Sequence, residues 1–315
     1  MSHITHLKGL IAAPFTPMLP DGALNPDIIP AYYRLLKTNG ISGAFICGST
    51  GEGVSLSVEE KKQVAEAWAA CCRNDLSFTL MMLVGGNSMA ECKELAAFAE
   101  EIGCNAISFT SPSYFKPANE KVLAAMCAEV AAAAPSLPFY YYHIPVLTGA
   151  NLPMMNLLQE VNGMIPNFTG IKYTHEDFMD YLSCLHFENR KYDMLWGRDE
   201  NMLAALALGA KGSVGSTFNY MAPVYHNLIR AFESGDLVAA RKWQQKSIDL
   251  INLLGKYGGI ATGKAYMKLL GLDCGKFRLP VSNMADNRFN DFYNEASSLG
   301  FFSCSSLMQE VVLEK

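Results

Sequence analysis

Short apolar runs alternate along this chain with amphipathic stretches at a fairly even pace, the pattern of repeated βα units. The spacing predicts strands at Leu10 to Thr16, Gly43 to Gly48, Phe78 to Val84, Ala106 to Thr110 and Phe139 to Ile144. Three more follow at Phe168 to Tyr173, Met194 to Gly197 and Gly212 to Gly215. Eight strands, each followed by a helix, close most naturally into a parallel (β/α)8 TIM barrel, whereas a doubly wound sheet usually needs fewer.

Helix starts are legible between the strands. Asn25 precedes Pro26, and Ser57 to Glu60 and Ser88 to Glu91 have the spacing of capping boxes. From Asp236 onward the chain reads as helical, with segments at Leu237 to Lys256, Thr262 to Leu270 and about Asn287 to Gly300. No Ser/Pro-rich or charged linker separates them from what precedes. The expected organisation is therefore a barrel over 1–235 and an α-helical extension over 236–315 packed on it.

At 315 residues, half of them hydrophobic, the chain suits one large α/β barrel with an ample core. A formal charge of −5 and the lack of a basic stripe argue against nucleic acid or anionic lipid as partners. The opening MSHITHLKGL lacks the apolar core of a secretory signal, and no uncharged apolar run reaches bilayer-spanning length. The nine cysteines are scattered with no CxxC pair, so they read as reduced thiols. A cytoplasmic location is the expectation.

Chemistry in such a barrel belongs where strands end and βα loops begin. The run NFTGIKYT carries one lysine, Lys172, in an apolar setting. A desolvated amine titrates low and can attack a carbonyl to form a Schiff base, although a lysine at a strand tip can also simply reach water. GSTGEG, Gly48 to Gly53, brings small residues and the hydroxyls of Ser49 and Thr50 together as an anion nest or as an ordinary turn. Tyr142, near the end of FYYYHIP, is either a proton-transfer phenol or a packing residue. GRDE, Gly197 to Glu200, offers acceptors for the hydroxyls of a polyol, with Asp199 equally able to cap the next helix. GST, Gly215 to Thr217, follows the last strand.

GGIATGKA, Gly258 to Ala265, has Walker A spacing up to Lys264, but Ala265 stands where magnesium needs a hydroxyl, and no strand precedes it. It reads as an interhelical turn. No GxSxG or HExxH occurs and the six histidines lack metal-ligand spacing, so no metal site is expected. His143 and His175 read as structural hydrogen-bonding residues.

Taken together, GSTGEG after the second strand, YHIP after the fifth and GIK in the sixth resemble the pyruvate-dependent class I aldolases of the dihydrodipicolinate synthase and N-acetylneuraminate lyase family. The resemblance covers nearly the whole chain, from GLIAAPFTPMLPDG to the C-terminal helices, and within the family it is closest to the sialate-cleaving branch of animal type through LPFYYYHIP, EVAAAAPSLP and GAKGSVGSTFNY. It implies reversible cleavage of a sialic acid to N-acetylmannosamine and pyruvate, with Lys172 forming the Schiff base and Tyr142 moving protons with help from the substrate carboxylate. Ser49 and Thr50 would grip that carboxylate, and Thr174, Gly197, Asp199, Glu200 and Ser216 would meet the hydroxyl-bearing part of the sugar. Tyr114 matches a tyrosine that reaches across a subunit interface, and a homotetramer is implied. Neither a metal nor an external cofactor is implied.

Leu147 bears on substrate choice, because the synthases carry at the matching position an arginine that clamps a second carboxylate, which an apolar leucine cannot do. Two departures from the family pattern stand out: Arg198 where the bacterial lyase is uncharged, and His143 in place of an asparagine. Alternation along a strand suggests that Arg198 points away from a mouth lined by Gly197. Rival readings are a sister aldolase acting on 2-keto-3-deoxy sugar acids or 4-hydroxy-2-oxoglutarate, and a non-catalytic barrel that binds sugar acids.

Overall fold

A computed structural model describes residues 4–308. Parallel strands β1 (Gly9–Ala12), β2 (Gly43–Ile46), β3 (Thr79–Leu83) and β4 (Ala106–Phe109) form the first half of a closed barrel. β5 (Phe139–His143), β6 (Phe168–Tyr173), β7 (Asp193–Trp196) and β8 (Gly212–Gly215) form the second half, and β8 pairs back onto β1. The TIM barrel expected from the spacing is the observed fold. The first strand is shorter than expected: it stops at Ala12, and Pro14, which has no N–H to donate to a ladder, follows two residues later.

Side chains along the strands separate into two apolar clusters. Ile11, Phe45, Met81, Tyr140, Tyr142, Leu195 and Val214 fill the interior of the ring. Their neighbours Leu10, Ala44, Met82, Tyr141, Tyr173 and Trp196 pack outward beneath the helices. β6 contains an irregularity that changes this alternation. Phe168 pairs with Phe139, but Gly170 pairs with Tyr140, so Thr169 is an extra residue and the strand is bulged. Beyond the bulge, Tyr142 lies opposite Lys172, and Ile171 and Tyr173 join the outer cluster. Gly170 is required there, because a Cβ would stand 1.8 Å from the Asp193 carbonyl oxygen.

Helices α1 (Ile29–Thr38), α2 (Val58–Cys72), α3 (Met89–Glu101) and α4 (Glu120–Ala131) follow the first four strands. The short α5 (Pro145–Thr148) precedes α6 (Met154–Val161), and α7 (Phe178–His186), α8 (Met202–Leu208) and α9 (Phe218–Glu233) complete the ring. α2 begins with the full capping box, Ser57 Oγ accepting from the Glu60 N–H and Glu60 accepting from the Ser57 N–H. At α3 only the first half forms, with Ser88 Oγ accepting from the Glu91 N–H at 3.4 Å. Asn25 provides no side-chain cap; a short 3₁₀ turn over Pro26–Ile28 leads into α1 instead.

Beyond the barrel, α10 (Leu237–Tyr257) runs against α9, followed by α11 (Thr262–Leu269) and α12 (Phe289–Ser298). Residues 309–315 of the expected extension lie outside the described residues. GGIATGKA starts at the end of α10, passes through a 3₁₀ turn over Gly259–Ala261, and enters α11, so Lys264 is a helical residue and not a loop one. Among the described residues no helix is long and apolar enough to cross a membrane, and all nine cysteines are free.

Behind β6 and β7 the outer layer is aromatic. Trp196 stacks with Phe178 at 5.3 Å between ring centroids and meets Tyr181 edge-on at 4.9 Å. Trp196→Ala is expected to cost about 3–5 kcal/mol of unfolding free energy in a denaturant titration. A loss below about 1 kcal/mol would show that this layer collapses to fill the gap.

Candidate active site

The bulge in β6 turns Lys172 into the ring. Its Nζ lies 3.8 Å from the centroid of Phe45 and 4.0 Å from that of Tyr142, and the residue is 4% exposed. Burial lowers its pKa to about 7, with the charge of Asp199 opposing the shift. An amine of this kind is neutral in a large fraction of molecules near neutrality and is a nucleophile.

Tyr142 borders the lysine on one side. Burial raises its pKa, while the hydroxyls of Ser49 and Thr174, beside its phenol, pull it down. Three sequence-derived candidates from three different strand ends thus meet at one oxygen. GSTGEG is a tight turn in which the Glu52 N–H donates to the Ser49 carbonyl and the Gly53 N–H to the Gly48 carbonyl. Thr16 Oγ1 donates to the Gly51 carbonyl at 2.6 Å. Ser49 and Thr50 are thereby carried on a loop braced from below.

Across the mouth, Asp199 is buried and its carboxylate accepts from the Thr217 N–H at 2.9 Å and the Thr217 hydroxyl at 2.6 Å. It caps the entry to α9 and not the helix that follows it in sequence. Burial raises its pKa to about 7, Glu200 adds to the rise, and Thr217 and Lys172 oppose it. Gly215 makes room for this carboxylate, since a Cβ there would meet Asp199 Oδ1 at 2.1 Å. Gln244 of α10 donates to the Asp199 carbonyl at 3.1 Å. Asn219 donates to the carbonyls of Ala13 and Ser216, both at 2.7 Å, and stitches the ends of β1 and β8 together.

Arg198 stands at the rim, just beyond the end of β7. Its guanidinium pairs with Glu200 at 2.9 Å and Glu176 at 3.1 Å. Strand alternation does not set its direction there, and the two carboxylates hold it. Of the seven buried polar atoms without a well-aligned partner among the described residues, three lie near the ends of β6 and β7: Thr174 Oγ1, Arg198 Nε and Asn201 Oδ1. Gly197, at the end of β7, donates its N–H to the Tyr173 carbonyl at 2.8 Å.

Three predicted positions stand apart from the buried group. Leu147 is 60% exposed on α5, and Tyr114, 79% exposed, meets Phe115 edge-on at 4.9 Å. His143 points outward, its ring 5.0 Å from Tyr173 and 5.5 Å from His175. His143 Nδ1 has no hydrogen-bond partner among the described residues, its ring packing instead against Tyr173 and His175, and burial, reinforced by His175, lowers its pKa to about 3. Thr217, Asn219 and Gln244 were not singled out from the sequence, although Thr217 closes the GST run. Among the described residues no group of three or more His, Cys, Asp or Glu side chains is arranged to hold a metal ion.

Residues 6–298 match the Dihydrodipicolinate synthetase family. The chain belongs to that family. Within the dihydrodipicolinate synthetase family it is 40% identical over 305 residues to the N-acetylneuraminate lyase of Rattus norvegicus, covering 96% of this chain and 95% of the relative. The structure of the Proteus mirabilis N-acetylneuraminate lyase superposes with a TM-score of 0.91 at 39% identity, over 94% of this chain and all of the other. A catalytic lysine mutant of the Ruminococcus gnavus sialic acid aldolase superposes with a TM-score of 0.87 at 27% identity, over 93% and 95% of the two chains.

The lowered pKa of Lys172 has a consequence for stability independent of any reaction. Unfolded, a lysine keeps its proton to its ordinary value of 10.5; folded, this one releases it near 7. Between those values the unfolded chain binds more protons, so burying the lysine costs most at or below pH 7 and progressively less above it. Lys172→Met is expected to stabilise the fold by on the order of 3 kcal/mol near neutral pH, with the gain shrinking toward pH 10. A pH-independent difference in denaturant midpoints would contradict a desolvated amine.

Proposed function

We propose that this protein is an enzyme that reversibly cleaves N-acetylneuraminate to N-acetylmannosamine and pyruvate through a Schiff base on Lys172. The observation that carries the reading is the desolvated Lys172 amine, lodged between Phe45 and Tyr142 inside the ring, in a chain about 40% identical over nearly its full length to N-acetylneuraminate lyases. The catalytic lysine named for the Ruminococcus gnavus aldolase supports the same assignment.

The neutral amine of Lys172 adds to the C2 ketone of the open-chain sugar acid, and the resulting carbinolamine loses water to leave a protonated imine. That iminium draws electrons. Tyr142, whose phenol stays protonated at rest because burial raises its pKa, takes the C4 hydroxyl proton as it passes its own toward the substrate carboxylate. The C3–C4 bond then breaks, its electron pair forms an enamine on the lysine, and C4 leaves as the aldehyde of N-acetylmannosamine. Protonation at C3 and addition of water to the imine release pyruvate and restore the amine. The chemistry needs no metal or external cofactor, since the iminium supplies the electron sink.

Ser49 and Thr50 bind the substrate carboxylate, and Thr174, Gly197, Asp199, Glu200 and Ser216 receive the hydroxyls of the sugar. Thr174 Oγ1, which has no well-aligned partner, and the buried carboxylate of Asp199 fit a ligand rich in hydroxyls. Leu147 provides no countercharge for a second carboxylate. The working protein is a cytoplasmic homotetramer built of barrels over 1–235 with extensions over 236–315, and the exposed Tyr114 and Phe115 form part of a contact between copies.

Borohydride with pyruvate is expected to add a covalent adduct on the peptide containing Lys172. Lys172→Ala abolishes it while the protein stays folded, and trapping that persisted in this variant would refute the assignment. Tyr142→Phe is expected to trap pyruvate yet to turn over sialate about 10²- to 10⁴-fold more slowly. Leu147→Arg is expected to weaken sialate cleavage; unchanged kinetics would remove this residue from substrate selection. A pyruvate-release assay on 2-keto-3-deoxy sugar acids and 4-hydroxy-2-oxoglutarate separates the sister aldolases.

A further inference from the structure

The Walker-like run is unused by the chemistry above, yet its lysine is among the most enclosed charges in the protein. Lys264 Nζ donates to Glu52 Oε1 at 2.7 Å, and both side chains are 2% exposed. Glu52 is the acidic residue of GSTGEG, two positions after Thr50 and three after Ser49. Its other oxygen accepts from the Arg278 N–H at 2.8 Å, so neither carboxylate oxygen is free to swing. The amine is fixed as well, donating to the Lys276 carbonyl at 3.1 Å and lying 4.7 Å from the centroid of Phe277.

The backbone shows what this pair secures. Glu52 has φ of 57°, in the left-handed region that non-glycine residues seldom occupy. In that conformation its N–H donates to the Ser49 carbonyl at 3.2 Å and its own carbonyl accepts from the Ser55 N–H at 2.7 Å. The side chain that directs Glu52 into the protein is therefore joined by one residue's backbone to the carbonyl of Ser49. A second tether lies alongside: the Arg278 guanidinium is bidentate on Glu60, at 2.6 and 2.9 Å, and donates to the carbonyls of Ser55 and Gly22. Arg278 lowers the Glu60 pKa to about 2.

We propose that Lys264 is a positioning residue for the 2-oxo acid: reaching from the C-terminal extension, it neutralises Glu52 and holds the loop that presents Ser49 and Thr50 to the substrate carboxylate. The proposal rests on the aldolase reading of the site. It gives the extension a part in binding pyruvate, through a contact that never touches the ligand. Burial lowers the Lys264 pKa and Glu52 opposes the shift. An unpaired charge at either position would be strongly disfavoured, so the loop and α11 keep their places together.

The test compares wild type, Lys264→Met, Lys264→Arg and the neutral double variant Glu52→Gln/Lys264→Met. The readouts are the pyruvate concentration that half-saturates borohydride trapping on Lys172, the KM for N-acetylmannosamine at saturating pyruvate, and the thermal midpoint. Lys264→Met is expected to raise the half-saturating pyruvate about tenfold or more, the loss of one oriented polar contact, with little change in the KM for the aldehyde sugar. Lys264→Arg is expected to recover most of the loss. If Lys264→Met does not fold, the double variant, which leaves no buried charge unpaired, is expected to fold and show the same selective weakening. Half-saturation within twofold of wild type in a folded variant lacking the pair, or a parallel rise in both constants, would overturn the proposal. A wild-type protein that gave no adduct at Lys172 would instead overturn the aldolase reading itself.

Discussion

The exclusion of water from a single amine governs the rest of the site. Lys172 is enclosed by Phe45 and Tyr142 inside a ring of strands, and no carboxylate stands within ion-pair distance of it among the described residues. Asp199 is the charge that bears on it electrostatically, and Asp199 is itself anchored through Oδ2 by the Thr217 N–H and hydroxyl. A direct ion pair would have kept the lysine protonated. The arrangement leaves an amine and a carboxyl that both titrate near neutrality, each influencing the other and each separately supported.

The support is distributed over the fold. The loop after β2 is held by Thr16 from the β1 end and by Lys264 and Arg278 from beyond α10. The loop after β7 is held by Thr217 at the start of α9 and by Gln244 on α10. Asn219 joins the β1 and β8 ends where the ring closes. The helical extension is thus a brace for two of the loops that form the mouth, and the rigidity of the barrel reaches the site partly through residues that follow the last strand.

How far the chain could be read in advance follows from the range of the forces involved. Strands β1 to β8 and the capping box at Ser57 depend on local pattern and were legible. So was Lys172, whose apolar neighbours in sequence are also its neighbours along the strand. His143 was misread because its partners, Tyr173 and His175, come from the next strand and its loop, and they offer rings where hydrogen bonds were expected. The partners of Arg198 were not legible, because the strand ends before it and its ion pairs are with Glu176, from another loop, and Glu200. The pairing of Glu52 with Lys264 joins residues more than two hundred positions apart, and no local pattern encodes it.

The extra residue at Thr169 is the feature with the longest reach. Phe168 faces the helices and Lys172 faces the interior, an inside-outside relation that an unbroken strand gives only to residues an odd number apart. Thr169 supplies the missing half-period. The Lys172 amine therefore owes its address to a counting rule: with Phe168 in place, drawing Thr169 into a regular ladder would turn the lysine into the aromatic layer and bring Ile171 and Tyr173 inward, whereas removing Thr169 would leave an odd spacing and keep the lysine inside. The register thus tolerates the loss of that one residue, but not the gain of another between Gly170 and Lys172, which would carry the amine to the opposite face without altering a single charged group.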